Sequence, residues 1–361
     1  MSARADSSRP VLIMAGGTGG HIFPGLAVAD ALARREVPVV WLGSQAGMEN
    51  RLVPARGIAL ETLAIGGLRG KGLATQLKMP LRIGKAVWQA LRIVKRLQPR
   101  AVLSFGGYAA GPGGLAAWLR RRPLLVHEQN RAPGLTNRVL AKLAGRLFCG
   151  FPDAFPNGEW VGNPVRAEFA AVEPPEARLA GRAGPLRLLV LGGSQGARAL
   201  NETLPDVIAR LKKGGDIEVR HQCGRDNVDL TMAGYMRHSL PVSPEPFIED
   251  MVAAYRWADL VVCRAGALTL AELAAVGLPS ILVPLPIAAD DHQTRNAEFL
   301  VERGAARLVP QGDGFRERLG DAVGGLVDHR EKLLAMAKAA RAMAKTDAAE
   351  RVADAVLKEA A

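Results

Sequence analysis

The 361-residue sequence predicts an α/β protein made of two parallel-sheet halves, and three observations carry that prediction. Short apolar runs alternate with longer helix-patterned stretches along the chain, as successive βαβ units would produce. The opening of the first half, "VLIMAGGTGGHIFPGLAVAD", returns in the second as "LRLLVLGGSQGARALN": apolar run, paired glycines, hydroxyl residue, glycine, helix. From Gly162 to Pro185 the alternation lapses into a segment rich in proline, glycine and charge, which reads as a linker.

Taken in order, the strands of the first half are "VLIMA" from Val11, "VPVVWLG" from Val37, "AVLSF" from Ala101 and "PLLVHE" from Pro123. Those of the second are "LRLLVL" from Leu186, "IEVRHQC" from Ile217, "DLVVC" from Asp259 and "SILVPL" from Ser280. Mostly apolar runs of this length suit parallel strands covered by helices on both faces. Helices are expected after each glycine loop, from near Pro80, after Cys263 and over Asp347 to Ala360. The domains are therefore 1–163 and 164–346, and 347–361 is a helix that either crosses back to the first domain or ends the second.

Formal net charge is +12, which predicts attraction to nucleic acid, an anionic membrane surface or phosphorylated substrates. Aromatic residues are only 5%, and no aromatic-basic interleaving or zinc-finger spacing appears, so nucleic acid is not an expected partner. The polar start "MSARADSSRP" has no apolar core of a secretory signal, which points to a cytoplasmic protein. Pro279, Pro284 and Pro286 interrupt the long apolar segment Leu273 to Ala289, so no membrane span is expected. Cys149, Cys223 and Cys263 lack metal spacing and read as buried free thiols.

Chemistry concentrates after the strands, where open α/β sheets bind ligands. The loop Gly16 to Gly20 lets a ligand approach backbone, and the following helix offers N–H groups with partial positive charge. Those glycines would equally serve a tight turn. His21, at the head of that helix, is a candidate general base. Arg264 beside the helix that opens with Ala267 makes an anion site, and Glu272 within it could accept both hydroxyls of a ribose. Asp290, Asp291, His292, Gln293 and Asn296 suit sugar hydroxyls. No D-x-D occurs, so a bound diphosphate would be neutralised by helix ends and arginine, without a metal. A second reading takes Gly192, Ser194 and Gly196 as the G-x-S-x-G of a hydrolase, with Asp290 and His292 or His329 as partners.

The motifs "GGTGGHIFPGLAVA", "SFGGYAAGPGGLAA", "HEQNRAPGLTNR", "VGNPVR", "GGSQGARALN" and "HQTRNA" resemble the MurG family over residues 11 to about 355. The resemblance implies a GT-B fold, two Rossmann-like domains with parallel sheets facing a central cleft. It implies inverting transfer of N-acetylglucosamine from UDP-N-acetylglucosamine to the 4-hydroxyl of lipid I, the undecaprenyl-diphosphate-linked muramoyl pentapeptide, giving lipid II. It also implies no cofactor and a peripheral position on the cytoplasmic face of the bacterial plasma membrane. By the same resemblance Thr18, Gly19 and Gly20 match the first glycine loop and count among the donor-binding positions. Asn130, Arg166, Ser194, Ile248, Arg264, the segment Ala267, Leu268, Thr269, Leu270, Ala271 and Glu272, and then Gln293 and Asn296, match donor-binding positions. Ala265 and His292 depart from the family pattern. Tyr108 and Glu128, on neighbouring strand-end loops, are alternatives to His21 or acceptor contacts.

The remaining charge has a place of its own. A helix from near Pro80 gathers Arg82, Lys85, Arg92 and Arg96 within a stripe of about 80°, with Lys78 extending it and Leu81 and Trp88 along one flank. A basic ridge beside an apolar edge suits an anionic phospholipid surface, although a solvated outer helix face would look similar.

Overall fold

The computed structural model describes residues 9–66, 79–193, 196–211, 217–286 and 291–360. The chain separates into two compact units, Met1–Val165 together with Lys345–Ala361, and Arg166–Ala344.

The first unit runs β1 (Val11–Ala15), α1 (Gly19–Ala33), β2 (Val39–Ser44), α2 (Glu49–Leu52), β3 (Ala59–Leu63), α3 (Met79–Leu97), β4 (Ala101–Gly106) and α4 (Ala110–Leu119). It continues through β5 (Leu124–Glu128), α5 (Leu135–Leu140), β6 (Arg146–Cys149) and β7 (Glu159–Trp160). All its strands are parallel, in the order β3-β2-β1-β4-β5-β6-β7. Alternation along β1 divides the core. Val11, Ile13 and Ala15 face a cluster with α1, while Leu12 and Met14 face Ala90, Ile93 and Val94 of α3 on the other side.

The second unit begins with α6 (Ala167–Ala170) and α7 (Pro175–Leu179), followed by β8 (Leu186–Leu191), α8 (Arg198–Leu211), β9 (Ile217–Gln222), α9 (Val228–Met236) and α10 (Met251–Trp257). Next come β10 (Leu260–Cys263), α11 (Ala267–Val276), β11 (Ser280–Leu282), α12 (His292–Val301), β12 (Ala306–Leu308), α13 (Phe315–Val327) and α14 (Arg330–Ala342). Its parallel sheet has the order β12-β11-β10-β8-β9.

The segment expected as a linker is largely built. Pro175 opens α7 at a position where its missing N–H costs nothing. Arg178, buried on α7, donates to the Ala258 and Gly277 carbonyls, and Arg182 just beyond binds Asp259, so the segment is fastened to the second unit. The last helix, α15 (Ala348–Glu359), packs on α1 with Val352 and Val356 fully buried in the first unit's core.

Cys149, Cys223 and Cys263 are buried free thiols, and burial pushes Cys149 up to about 11 and Cys263 to about 12.

Candidate active site

In the first unit the strand order reverses between β1 and β4, so the loops after these two strands lie side by side. Gly107, with φ of +93°, packs so tightly that a Cβ on it would lie 2.5 Å from the Gly16 carbonyl oxygen. Thr18 is the N-cap residue of α1, and its hydroxyl makes no capping hydrogen bond. Gly19 and Gly20 begin the first turn, where backbone N–H groups have no helical acceptor and the helix dipole is positive.

His21 completes that turn. Its Nδ1 lies 3.2 Å from the Gly16 carbonyl oxygen, which can only accept, so in the neutral ring Nδ1 carries the hydrogen and Nε2 the lone pair. A Cβ on Gly106, at the end of β4, would lie 3.4 Å from Nε2. Tyr108 follows in the same loop and is 42% exposed, open to an acceptor.

The residues at and after the end of β5 hold one another in place. Glu128 is buried, and its carboxylate accepts from the Asn130 N–H at 2.9 Å, Asn130 Nδ2 at 3.2 Å, the Gly134 N–H at 3.2 Å and Asn137 Nδ2 at 2.9 Å. It orders the loop into α5, and burial raises its pKa against these donors. Asn130 serves this carboxylate with both its backbone and side-chain nitrogens. His127, also a strand-end residue, is fully buried; Nε2 donates to the Gly162 carbonyl at 2.9 Å, and burial lowers its pKa to about 4.

Sequence reasoning missed the residue beneath the glycine loop. Glu49, first in α2 and fully buried, accepts from the Ser44 N–H at 2.8 Å, Ser44 Oγ at 2.7 Å and the Gly17 N–H at 3.2 Å. The bond to Gly17 spans 32 positions and leaves no local trace. The available signal was the glycines flanking it, since a Cβ on Gly43 or Gly47 would lie 2.5 or 1.9 Å from the Glu49 side chain.

In the second unit the order reverses between β8 and β10. Gly192 and Gly193 end the described part of the β8 loop; Ser194, the expected diphosphate contact, lies outside the described residues, as does Asp290. Gly196 resumes the chain with φ of +77°, and a Cβ there would meet the Cys223 carbonyl at 2.1 Å. After β10, Gly266 caps α11, whose first turn supplies the N–H groups of Ala267, Leu268 and Thr269. Leu270 is buried and Ala271 partly so.

Arg264, expected to face an anion, also holds architecture. Its Nη1 donates to the Val283 and Pro284 carbonyls at 3.1 Å and to the Gln311 side chain, tying the loops after β10, β11 and β12 together. Its charge still stands two residues before the α11 N-cap. Asn296 is fully buried and donates to the Ala265 carbonyl at 3.3 Å, so it braces this loop from behind; Gln293 Oε1 accepts from the Leu285 N–H at 3.0 Å.

Glu272 ends a chain of contacts unseen in the sequence. Tyr255 donates to its carboxylate at 3.0 Å, the Tyr255 ring lies 5.6 Å from that of Phe169, and the Arg166 guanidinium covers Phe169 at 4.6 Å. The Glu272 residue keeps some exposed surface, but dense packing around the carboxylate pushes it up to about 7, against the hydrogen bond from Tyr255 and the charge of Arg166. Ile248 is buried beside an exposed Phe247.

Family models match both units: the glycosyltransferase family 28 N-terminal domain over residues 11–149 and its C-terminal domain over 187–352. A Xanthomonas campestris pv. campestris (strain 8004) protein is 58% identical over 99% of this chain and 83% of its own length. A Xylella fastidiosa (strain M12) protein is 55% identical over 97% and 96%. Both are named UDP-N-acetylglucosamine--N-acetylmuramyl-(pentapeptide) pyrophosphoryl-undecaprenol N-acetylglucosamine transferase. The crystal structure of Acinetobacter baumannii MurG superposes with a TM-score of 0.85 at 42% identity, covering 97% of this chain and 99% of that one.

The chain belongs to the MurG family.

The fold is GT-B, a likeness that extends to the calicheamicin glycosyltransferase CalG4 at a TM-score of 0.67 and only 18% identity. For this MurG family member, the long outer helix of the first unit is the remaining candidate surface. On α3, Leu81 is 77% and Trp88 53% exposed, and Arg82, Lys85, Arg92 and Arg96 are all exposed or partly so. Arg92 lies over the Trp88 ring at 3.9 Å, whereas Arg96 pairs with Glu61 at 2.7 Å. Lys78 lies outside the described residues. Among the described residues no helix is long and apolar enough to cross a membrane.

Proposed function

We propose that this protein transfers N-acetylglucosamine from UDP-N-acetylglucosamine to the 4-hydroxyl of the lipid-linked N-acetylmuramoyl pentapeptide lipid I, producing lipid II and UDP. Near-full-length identity to proteins named for that transfer is the observation that carries the reading. The acceptor oxygen forms a bond to the anomeric carbon as the bond from that carbon to the diphosphate breaks. The electron pair leaves with UDP, and the hydroxyl proton passes to His21 Nε2. The α11 N-terminus, Arg264 and the β8 loop offset charge on the departing diphosphate, the preorganised electrostatic help that often dominates catalysis. Glu272 accepts the ribose hydroxyls. No metal takes part in this scheme, and full activity in excess chelator is the expected result.

The lipid acceptor requires the enzyme to come to the membrane, and the exposed face of α3 suits an anionic phospholipid surface there. The decisive assay is transfer of labelled sugar from UDP-N-acetylglucosamine to a lipid I analogue. With it, His21→Ala should lower turnover roughly a hundredfold to ten-thousandfold, the usual worth of a general base, while the UDP-induced rise in melting temperature stays. Near-normal turnover would remove His21 from the role.

A further inference from the structure

One peptide unit joins His21 to the buried Glu49, which has no part in the mechanism proposed above. The bond between Gly16 and Gly17 presents its carbonyl to His21 Nδ1 at 3.2 Å and its N–H to Glu49 Oε2 at 3.2 Å. In every described hydrogen bond the Glu49 carboxylate accepts, and its other oxygen is held by the Ser44 N–H and hydroxyl. The packing leaves this peptide little room: a Cβ on Gly16 would lie 2.6 Å from Glu49 Oε1, and Gly107 presses on Gly16 from the β4 loop. The Trp41 indole pins the preceding Ala15 carbonyl at 2.8 Å.

We infer that Glu49 is a positioning residue for the transfer reaction, polarising the Gly16–Gly17 peptide so that its carbonyl fixes the His21 tautomer and stabilises the imidazolium formed when Nε2 takes the acceptor proton. The inference rests on the reading of His21 as the base. A carboxylate on the N–H side of an amide draws negative charge onto the carbonyl oxygen, and in a buried site such chains of hydrogen bonds strengthen one another. Glutamine cannot replace it. In Glu49→Gln, with Oε1 still receiving the two Ser44 donors, the new side-chain amide nitrogen would face the Gly17 N–H, donor against donor.

The test is Glu49→Gln in the full chain, assayed with UDP-N-acetylglucosamine and a soluble lipid I analogue. We expect turnover to fall roughly tenfold or more, and the acidic limb of kcat/KM to move to lower pH by about one unit as the base weakens. The UDP melting shift should be largely unchanged, because the groups proposed to hold the uridine diphosphate, Glu272, Arg264 and the α11 N-terminus, lie in the other unit. Tyr108 in the β4 loop and Glu128, which Asn137 binds, are common to both proteins and do not account for such a shift. In a His21→Ala background the Glu49→Gln change should have no further effect on turnover. An unmoved pH limb, or effects of the two changes that multiply, would overturn the relay and leave His21 as base. A His21→Ala enzyme of near-normal turnover would overturn both. If Glu49→Gln does not fold, nitrogen-15 histidine spectra of the unmodified protein decide, with the His21 signal assigned by its loss in His21→Ala. Hydrogen on Nδ1 of neutral His21 supports the relay, and hydrogen on Nε2 overturns it.

Discussion

At the scale of single residues, the site depends on carboxylates whose surroundings give them different work. Glu128 and Glu49 each accept from several backbone and side-chain donors and shape loops. Glu272, with one hydrogen bond among the described residues, from Tyr255, is raised by burial to about 7 and has capacity left for a ligand. If it accepts two ribose hydroxyls, only its ionised form does so, and binding should strengthen as pH rises through about 7. The sugar nucleotide itself has no titration there, since its diphosphate is esterified at both ends. Titration calorimetry with UDP-N-acetylglucosamine from about one unit below that value to one unit above should show this strengthening, and Glu272→Gln should abolish it. Glu272→Ala should cost about 1 to 3 kcal/mol of donor binding, the range for lost charged hydrogen bonds. Constant affinity across that pH range would take Glu272 off the ribose.

At the scale of elements, what the sequence disclosed follows burial. The eight apolar runs coincide with strands, most of them flanked on both faces. The strands it did not disclose, β3, β6, β7 and β12, lie at or next to sheet edges and are only partly buried, so their apolar pattern is diluted. Glycine loops and strand-end polar residues were legible because they cluster in sequence; Glu49, Tyr255 and the bracing role of Asn296 were not, because each acts on a loop distant along the chain. The α3 helix was legible for a different reason: its inner face, Ala86, Ala90, Ile93 and Val94, is apolar and its outer face basic. Each basic side chain near an anionic surface contributes about 1 kcal/mol. Reversing Arg82, Lys85 and Arg92 to Glu should therefore abolish sedimentation with anionic liposomes, while transfer to a short-chain soluble acceptor survives. Arg96 is better left in place, because its partner Glu61 ties α3 to β3. Unchanged liposome binding would move the membrane face elsewhere.

At the scale of the whole molecule, each unit holds one fully buried histidine that works in the neutral form. In the first, His127 links β5 to the Gly162 carbonyl and accepts from Gln129; in the second, His221 of β9 lies between Tyr235 of α9 and Asn201 of α8, which also donates to the Cys223 carbonyl. For His221 the assignment is forced if the Asn201 oxygen is the acceptor: Nε2 donates to it, and Nδ1 receives the Tyr235 hydroxyl. Neither ring has room for a second proton without losing a hydrogen bond. Burial accordingly depresses His127 to about 4 and His221 to about 3, from the ordinary 6.5. The unfolded chain takes up these protons as pH falls through about 6.5, while the folded chain does not until the lower values are reached. Stability from both groups is thus fully present above about pH 6.5 and declines steadily below it, by on the order of several kcal/mol in total by about pH 4. Each unit therefore loses its histidine contribution in the same acid window, while Glu128 in the first and Glu272 in the second, raised by burial, work the opposite way as pH falls. Urea unfolding of the unmodified protein and of His221→Gln at about pH 7.5 and about pH 5 isolates the histidine, because Glu272 is common to both. The midpoint of the second unit should fall less, or rise more, from about pH 7.5 to about pH 5 in His221→Gln than in the unmodified protein, and the first unit should be unchanged. The same change of midpoint with pH in both proteins would assign the acid sensitivity to other groups.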